Sequence, residues 1–338
     1  MTALGPVLVT GATGFIGTRL VGALVEQGCR VRALSRRAHP PPPPGLDFDG
    51  PPPLEHPLVE VVLGDITDPD SLRRGMAGCR HVFHLAAYAK NWARDPQTYH
   101  RLNVQGMLNV FEAARREQAD RVVWTSSIVT LGPTLPGTVA HEETPRSTDR
   151  YLTEYEESKS IAEQHALRWA AEGFPVVIVN PTRVYGPGHL TEGNALSRLI
   201  DDYDRGRVPV LLNRGINVGN YVLVDDVVSG HVLAMTRGRI GQRYILGGEN
   251  ATLREFFRTI DRVSGKRHWQ LPLLQVTPLI FATLLKKRAE WFGTYPTITP
   301  VGSARSPSIG PIPATRPCTN WVTIPPPWKR ACAAPTHG

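Results

Sequence analysis

The segment Val7-Leu-Val-Thr10 followed by Gly11-Ala-Thr-Gly14-Phe-Ile-Gly17 restricts the fold more than any other part of the chain. A short apolar run leads into three glycines spaced three apart, and Leu20, Val21, Leu24 and Val25 then recur at helical spacing. This reads as strand, glycine turn, helix. Glycine suits such a turn because it takes backbone angles that side chains resist. It also lets main-chain N–H groups come close to a pyrophosphate at the positive end of a helix. The pattern is GxxGxxG, a departure from the GxGxxG of the common dinucleotide fingerprint. An ordinary tight strand-to-helix turn would use the same residues, so the rest of the chain has to decide.

The alternation continues downstream. Arg30 to Leu34, Val59 to Leu63, His81 to Leu85, Arg121 to Thr125 and Val176 to Val179 read as strands two to six, with helices between them. Such a chain is α/β, a doubly wound parallel sheet covered by helices on both faces. Asp68 before Pro69 marks a helix start, and Thr252-Leu-Arg-Glu255 has the spacing of a capping box. Between the second and third strands, residues 39–57 hold the runs Pro40 to Pro44 and Pro51 to Pro53, which predict an extended, mobile loop.

Composition excludes several classes. With 338 residues and 41% hydrophobic content the chain can bury a large core and carry a second, smaller domain. The formal charge is +8, but residues 301–338 supply four cations and no acid, which leaves a diffuse +4 that suits an anionic cofactor and does not require nucleic acid. Cys29, Cys79, Cys318 and Cys332 lack metal-ligand spacing and nothing argues for disulfides, so no metal is expected and a reducing cytoplasm is the default. Leu271 to Leu285 is too short and too interrupted, by Pro272, Gln275 and Pro278, to span a bilayer; it reads as a substrate-domain helix. The first strand follows Met1 so closely that a targeting signal is not expected.

Tyr155 and Lys159 carry the chemistry. Four residues apart, they share one helix face one turn apart. A free phenol, with a pKa of about 10, is a poor base at neutral pH, but a nearby cation stabilises the phenolate. The other reading is a surface Tyr packed on a lysine stem.

Several motifs occur together: Thr10 to Gly17, Gly64-Asp65, His84-Leu-Ala-Ala87, Asn103-Val-Gln-Gly106, Thr125-Ser-Ser127, Tyr155 with Lys159, and Asn180-Pro-Thr-Arg-Val-Tyr-Gly-Pro-Gly188. In their order and spacing they resemble the extended short-chain dehydrogenase/reductases, and within them the NAD(P)-dependent epimerase/dehydratase group with its dihydroflavonol-reductase-like members. The resemblance implies a Rossmann-type dinucleotide-binding domain over residues 1–180, mainly a substrate domain over 181–300, and an aberrant tail over 301–338. It implies that Ser127, Tyr155 and Lys159 are catalytic: Ser127 positions the substrate oxygen, Tyr155 exchanges its proton, and Lys159 lowers the phenol pKa and holds the nicotinamide ribose. Cofactor contacts fall on Gly11, Thr13, Gly14, Phe15, Ile16, Gly17, Asp65, Ile66, Leu85, Ala86, Ala87, Asn103, Tyr155, Lys159 and Pro181. Arg36, where an acid would favour NAD, matches the position facing the 2′-phosphate, so NADP(H) is favoured with NAD(H) as the other option. Tyr88, Trp92, Arg183 and Tyr185 match the substrate side by position, and His84 is structural. The partners implied are a small-molecule substrate and a second copy of the chain, paired through helices around Tyr99 to Gln118 and Tyr155 to Glu172.

The residues after Ser127 narrow the reaction. Sugar 4,6-dehydratases of this family place Asp-Glu there, because removing water needs a further acid and base. Here the positions are Ile128 and Val129. That leaves reduction of a ketone or oxidation of an alcohol, with NAD-dependent nucleotide-sugar C4 epimerisation as the alternative and a non-catalytic NAD(P)-binding protein as the reading from another class. After Pro300 the chain turns proline-rich and loses helical period. Read one base earlier, a permitted codon choice for Pro307 to Gly338 encodes a segment like the family's usual close, ending in an amphipathic helix. Residues from about Val301 onward are therefore expected to be an out-of-frame product, at a cost to the substrate domain.

Overall fold

The structure is a computed structural model, described here for residues 5–40, 52–90, 92–134, 138–188 and 194–273. The chain runs β1 (Val7–Thr10), α1 (Phe15–Glu26), β2 (Val31–Ser35), β3 (Val59–Leu63), α2 (Pro69–Met76), β4 (His81–His84), α3 (Gln97–Tyr99), α4 (Gly106–Arg116), β5 (Arg121–Thr125), α5 (Glu154–Ala171) and β6 (Val176–Pro181). It continues through β7 (Arg183–Tyr185), α6 (Ala195–Asp204), β8 (Val210–Leu212), β9 (Val218–Leu223), α7 (Val224–Arg237), β10 (Arg243–Leu246), β11 (Glu249–Thr252), α8 (Leu253–Ser264) and β12 (Leu271–Leu273).

Seven strands form one parallel sheet in the order β3-β2-β1-β4-β5-β6-β10. The order reverses between β1 and β4, and Thr10 lies opposite His84 across that reversal. In doubly wound sheets ligands bind at the carboxyl ends of the strands beside this point. Successive strand residues bury opposite faces. Leu8, Val82, Val122, Trp124, Val176 and Ile178 pack with α2, α4 and α5, whereas Val7, Val9, Phe83, Val123, Val177 and Val179 pack with α1 and α7. Apolar residues on both faces are what the near-continuous hydrophobic runs of these strands require.

The helix signals act as their residues dictate. The Asp68 side chain accepts from the Asp70 N–H with Pro69 at the first helical position, and Thr252 and Glu255 form a reciprocal capping box at α8. Around Asn103 the helix widens to a π turn over His100–Gln105. A small sheet of β11, β9 and β7 and the pair β8 with β12 make up the second part.

The large sheet also takes in elements beyond residue 180, since α7 packs on it and β10 supplies its edge strand beside β6. Two expectations are corrected. Leu271–Leu273 is a strand paired with β8 rather than the start of a helix. Within the proline-rich loop, Pro53–Glu55 forms a 3₁₀ turn with Pro53 and Leu54 buried, and Pro53 packs near Gly22 of α1. The rest of that loop, residues 41–51, lies outside the described residues, as do the remainder of the 271–285 run and the 301–338 tail. Among the described residues no helix is long and apolar enough to cross a membrane.

Candidate active site

The glycine turn is built by close backbone packing. Gly11 has φ +73°, and a Cβ there would lie 2.7 Å from the Ala86 nitrogen. A Cβ on Gly17 would lie 2.0 Å from the Gly11 carbonyl oxygen, so the first turn of α1 closes only on hydrogen. Gly14 caps α1 in extended conformation without a side-chain hydrogen bond, and the first turn carries no acid. The N–H groups at this helix end therefore have no side-chain acceptor, as a phosphate site requires. Thr13 is exposed beside them, with Phe15 and Ile16 half-buried in the first helical turn.

The end of β4 crosses directly over this turn. Leu85, Ala86 and Ala87 are half-buried there, and the Thr10 hydroxyl accepts from the Ala86 N–H at 3.3 Å. The same hydroxyl lies 2.7 Å from His84 Nδ1. Burial, reinforced by the Lys159 charge, pushes the His84 pKa down to about 3, so the ring is neutral and structural. Arg36 is exposed just past β2, where Ser35 closes a tight turn with the backbone of Arg37. Asp65 accepts from the N–H and hydroxyl of Thr67, both at 2.8 Å, and so shapes the turn after β3. Ile66 is buried against Gly106, which has no room for a Cβ beside the Ile66 Cδ1.

Asn103, buried at the π turn, joins three segments. Its Oδ1 accepts from the Tyr88 N–H at 2.7 Å, and its Nδ2 donates to the Tyr88 carbonyl and to the Ser158 hydroxyl. That geometry makes it a clamp between the β4 loop and α5. In the same loop the Tyr88 hydroxyl donates to the Trp92 carbonyl and its ring meets Tyr99 edge-on.

Ser127 lies just after strand β5, and helix α5 holds Tyr155 and Lys159. Thr153 caps α5 by accepting from the Glu156 N–H, and Tyr155 lies in its first turn. Ser127 caps the 3₁₀ turn Ile128–Leu131 directly after β5. Ser127 lies near enough to the Tyr155 phenol to act on its titration. Burial raises the phenol pKa, and Ser127 acts against that rise. The counterweight to burial here is the serine and not the lysine. Lys159 is 2% exposed, its ammonium donates to the Thr125 carbonyl at 2.9 Å and lies 5.2 Å from the Trp124 ring centre. Burial lowers its pKa to about 8, against the opposing pull of Glu163.

Behind these residues lies a polar cluster that motif reading passed over. Glu163, one turn beyond Lys159, is 3% exposed and receives the Ser126 hydroxyl, the Asn180 amide at 2.7 Å and the Arg243 guanidinium at 3.0 Å. A spacing signal exists for it: Glu156, Lys159 and Glu163 stand at i, i+3 and i+7 on one helix face.

On the opposite side of the crevice Pro181 is buried at the end of β6, and Arg183 and Tyr185 are half-buried on β7. The Arg183 guanidinium lies over the Tyr221 ring at 5.8 Å, Tyr221 stacks on Phe256 at 4.3 Å, and Tyr185 meets Phe256 edge-on. Among the described residues no group of His, Cys, Asp and Glu could hold a metal ion.

Similar proteins carry this arrangement of elements. The model of the NAD dependent epimerase/dehydratase family matches residues 7–247. A Synechocystis protein named "Putative dihydroflavonol 4-reductase" is 34% identical over 305 residues, covering 89% of this chain and 81% of its own length. The 3 beta-hydroxysteroid dehydrogenase/Delta 5-->4-isomerase of Mycobacterium tuberculosis is 31% identical, covering 79% and 71%. The solved structure of MoeE5 in complex with UDP-glucose and NAD superposes with a TM-score of 0.64 at 28% identity, covering 80% of this chain and 85% of that one. With its parallel sheet, glycine turn and crevice of this form, the chain belongs to the NAD dependent epimerase/dehydratase family, enzymes of the extended short-chain dehydrogenase/reductase type.

Proposed function

We propose that this protein reduces a ketone, or oxidises the corresponding alcohol, with Ser127, Tyr155 and Lys159 as its catalytic residues and NADP(H) as its preferred cofactor. The observation that carries this reading is the Lys159 ammonium, buried and bonded to the Thr125 carbonyl at the end of β5, with Ser127 directly after that strand and near the Tyr155 phenol on the same helix as Lys159. A bound nicotinamide supplies or accepts the hydride. The bare N-terminus of α1 and the Gly11–Ala86 approach suit its pyrophosphate, and Arg36 offers an exposed guanidinium to a 2′-phosphate.

The chain's own residues then divide the work. Ser127 holds the substrate oxygen and shares its hydrogen bond with Tyr155, which offsets charge as it develops on that oxygen. Tyr155 delivers a proton in reduction and takes one in oxidation. Lys159 still carries its charge at pH 7, and the two shifts, phenol up from 10.0 and ammonium down from 10.5 to about 8, set the lysine to lose its proton before the tyrosine does. No carboxylate follows Ser127, and Ile128 is buried, which argues against dehydration. Tyr185 and Phe256 give the substrate side an aromatic wall beside one guanidinium, Arg183, which suits a largely apolar carbonyl compound.

Purified protein incubated with NADP⁺, NAD⁺ and a panel of alcohols should show a rise in reduced-cofactor absorbance, larger with NADP⁺. Tyr155→Phe should bind cofactor as before and lose turnover. Conversion of a nucleotide sugar to its C4 epimer without net cofactor change would overturn the assignment in favour of epimerisation, the reading that the UDP-glucose complex of MoeE5 supports. Cofactor binding without any turnover would instead mark a non-catalytic binding protein.

A further inference from the structure

The face of α5 that meets β5 is polar. Glu156, Lys159 and Glu163 are all buried on it, and burying three charges costs several kcal/mol unless each is held by partners. Glu156 pairs with Arg146, which also reaches the carbonyls of Val129 and Thr130. Glu163 collects groups from two strands, β6 and β10, and from the turn after β5. The Ser126 hydroxyl, the Asn180 amide and the Thr130 hydroxyl converge on its Oε2, and Arg243 of β10 donates to its Oε1. Asn180 also donates to the Ser127 carbonyl at 3.1 Å, and the Thr130 hydroxyl lies 2.9 Å from that carbonyl. The backbone on both sides of the Ser127 side chain is thus tied to one carboxylate on the helix that carries Tyr155 and Lys159.

We infer that Glu163 is a positioning residue. It locks the Ser127 turn onto α5 and, balanced by Arg243, sets the electrostatic environment of the Lys159 ammonium. This rests on the catalytic reading of Ser127, Tyr155 and Lys159. The charged and titratable groups facing Lys159 are His84 from β4, Tyr155 and Glu163 from its own helix, and Arg243 from β10 acting through Glu163. His84 stays neutral, so the Glu163–Arg243 pair is the adjustable part. Removing Glu163 takes away an anion and leaves Arg243, and both changes disfavour the ammonium. Removing Arg243 leaves the anion unopposed and favours it.

The test uses cofactor-free protein labelled with ¹³C-lysine, titrated by NMR at the Lys159 side chain, in the wild type, Glu163→Gln, Arg243→Gln and the double variant. The Lys159 midpoint should fall by about one pH unit in Glu163→Gln, rise in Arg243→Gln and return toward wild type in the double variant. In the active enzyme, kcat should fall at least tenfold in Glu163→Gln with cofactor affinity kept, and the pH profile should move with the lysine midpoint. Midpoints that do not move, or that move the same way in both single variants, overturn the inference, because general loosening has no sign. If Glu163→Gln does not fold, Arg243→Gln decides alone, and a midpoint that stays or falls refutes it. A wild-type protein without turnover would sink the proposed function while leaving the lysine titration fully informative.

Discussion

Lys159→Met should make the protein more stable at neutral pH while abolishing turnover. The folded chain holds this ammonium at 2% exposure with a pKa of about 8, against 10.5 for the free side chain. That difference is worth roughly 3 kcal/mol. Between the two values the unfolded chain binds more protons, so stability rises with pH across that window and carries the whole penalty below pH 8. Methionine fills a similar volume without charge. It loses the charge-assisted hydrogen bond to the Thr125 carbonyl, at a cost of about 2 kcal/mol, which leaves a net gain of about 1 kcal/mol at pH 7. Urea unfolding of cofactor-free protein at pH 7 and pH 9 measures both parts. The wild type should gain roughly 1 kcal/mol between those pH values, and the variant should lack that gain. A variant less stable than wild type at pH 7, with the wild-type pH dependence intact, would refute the claim that Lys159 is held at the expense of stability.

Gly17→Ala forces a methyl group to within 2.0 Å of the Gly11 carbonyl, so it should cost about 3 kcal/mol and abolish cofactor binding. A wild-type Tm together with wild-type cofactor affinity would contradict the packing argument. His84 and His231 are buried, with pKa values pushed down by burial from 6.5 to about 3 and about 4. The unfolded chain takes up those protons first, so stability is complete above pH 6.5 and is lost as pH falls toward 4. His231→Gln should remove about one proton from the slope of unfolding free energy against pH, and an unchanged slope would show that the ring is charged when folded. Arg36→Glu should reverse the cofactor preference toward NAD by at least tenfold in cofactor Kd, through repulsion of a 2′-phosphate and a hydrogen bond to the ribose diol. An unaltered ratio of NADP⁺ to NAD⁺ affinity would remove Arg36 from that role.

The fold was legible because its signals are local. Apolar runs, the glycine turn and the capping residues each act over a few positions, and β1 to β6 fall within a residue or two of where spacing puts them. What sequence spacing could not supply is the return of the chain. Nothing in Arg243–Leu246 distinguishes a seventh strand beside β6 from a strand of the second part, since that choice is made by α7 packing across the large sheet. Side-chain roles divide the same way. Asp65 was singled out by its place after a strand, yet its carboxylate closes the turn with Thr67. Asn103 matches a position near the cofactor or in helix support, and its side chain joins Tyr88 to Ser158.

Glu163 explains why a motif scan stops short of a working site. Four residues after Lys159, a glutamate on a helix reads as one half of a surface ion pair, worth a few tenths of a kcal/mol. Its partners in space come from the turn after β5, from β6 and from β10, separated from it by 17 to 80 residues. Those distant groups turn a weak pair into a buried network, because each removes a partner that water would otherwise provide. The Tyr155 and Lys159 spacing marks the proposed proton path, but Glu163, which pulls the Lys159 pKa upward, is itself paired with an arginine 80 residues further along the chain. A site of this kind tolerates change at its exposed rim far better than at Glu163, where one substitution leaves a half-buried guanidinium, two hydroxyls and an amide without their common acceptor.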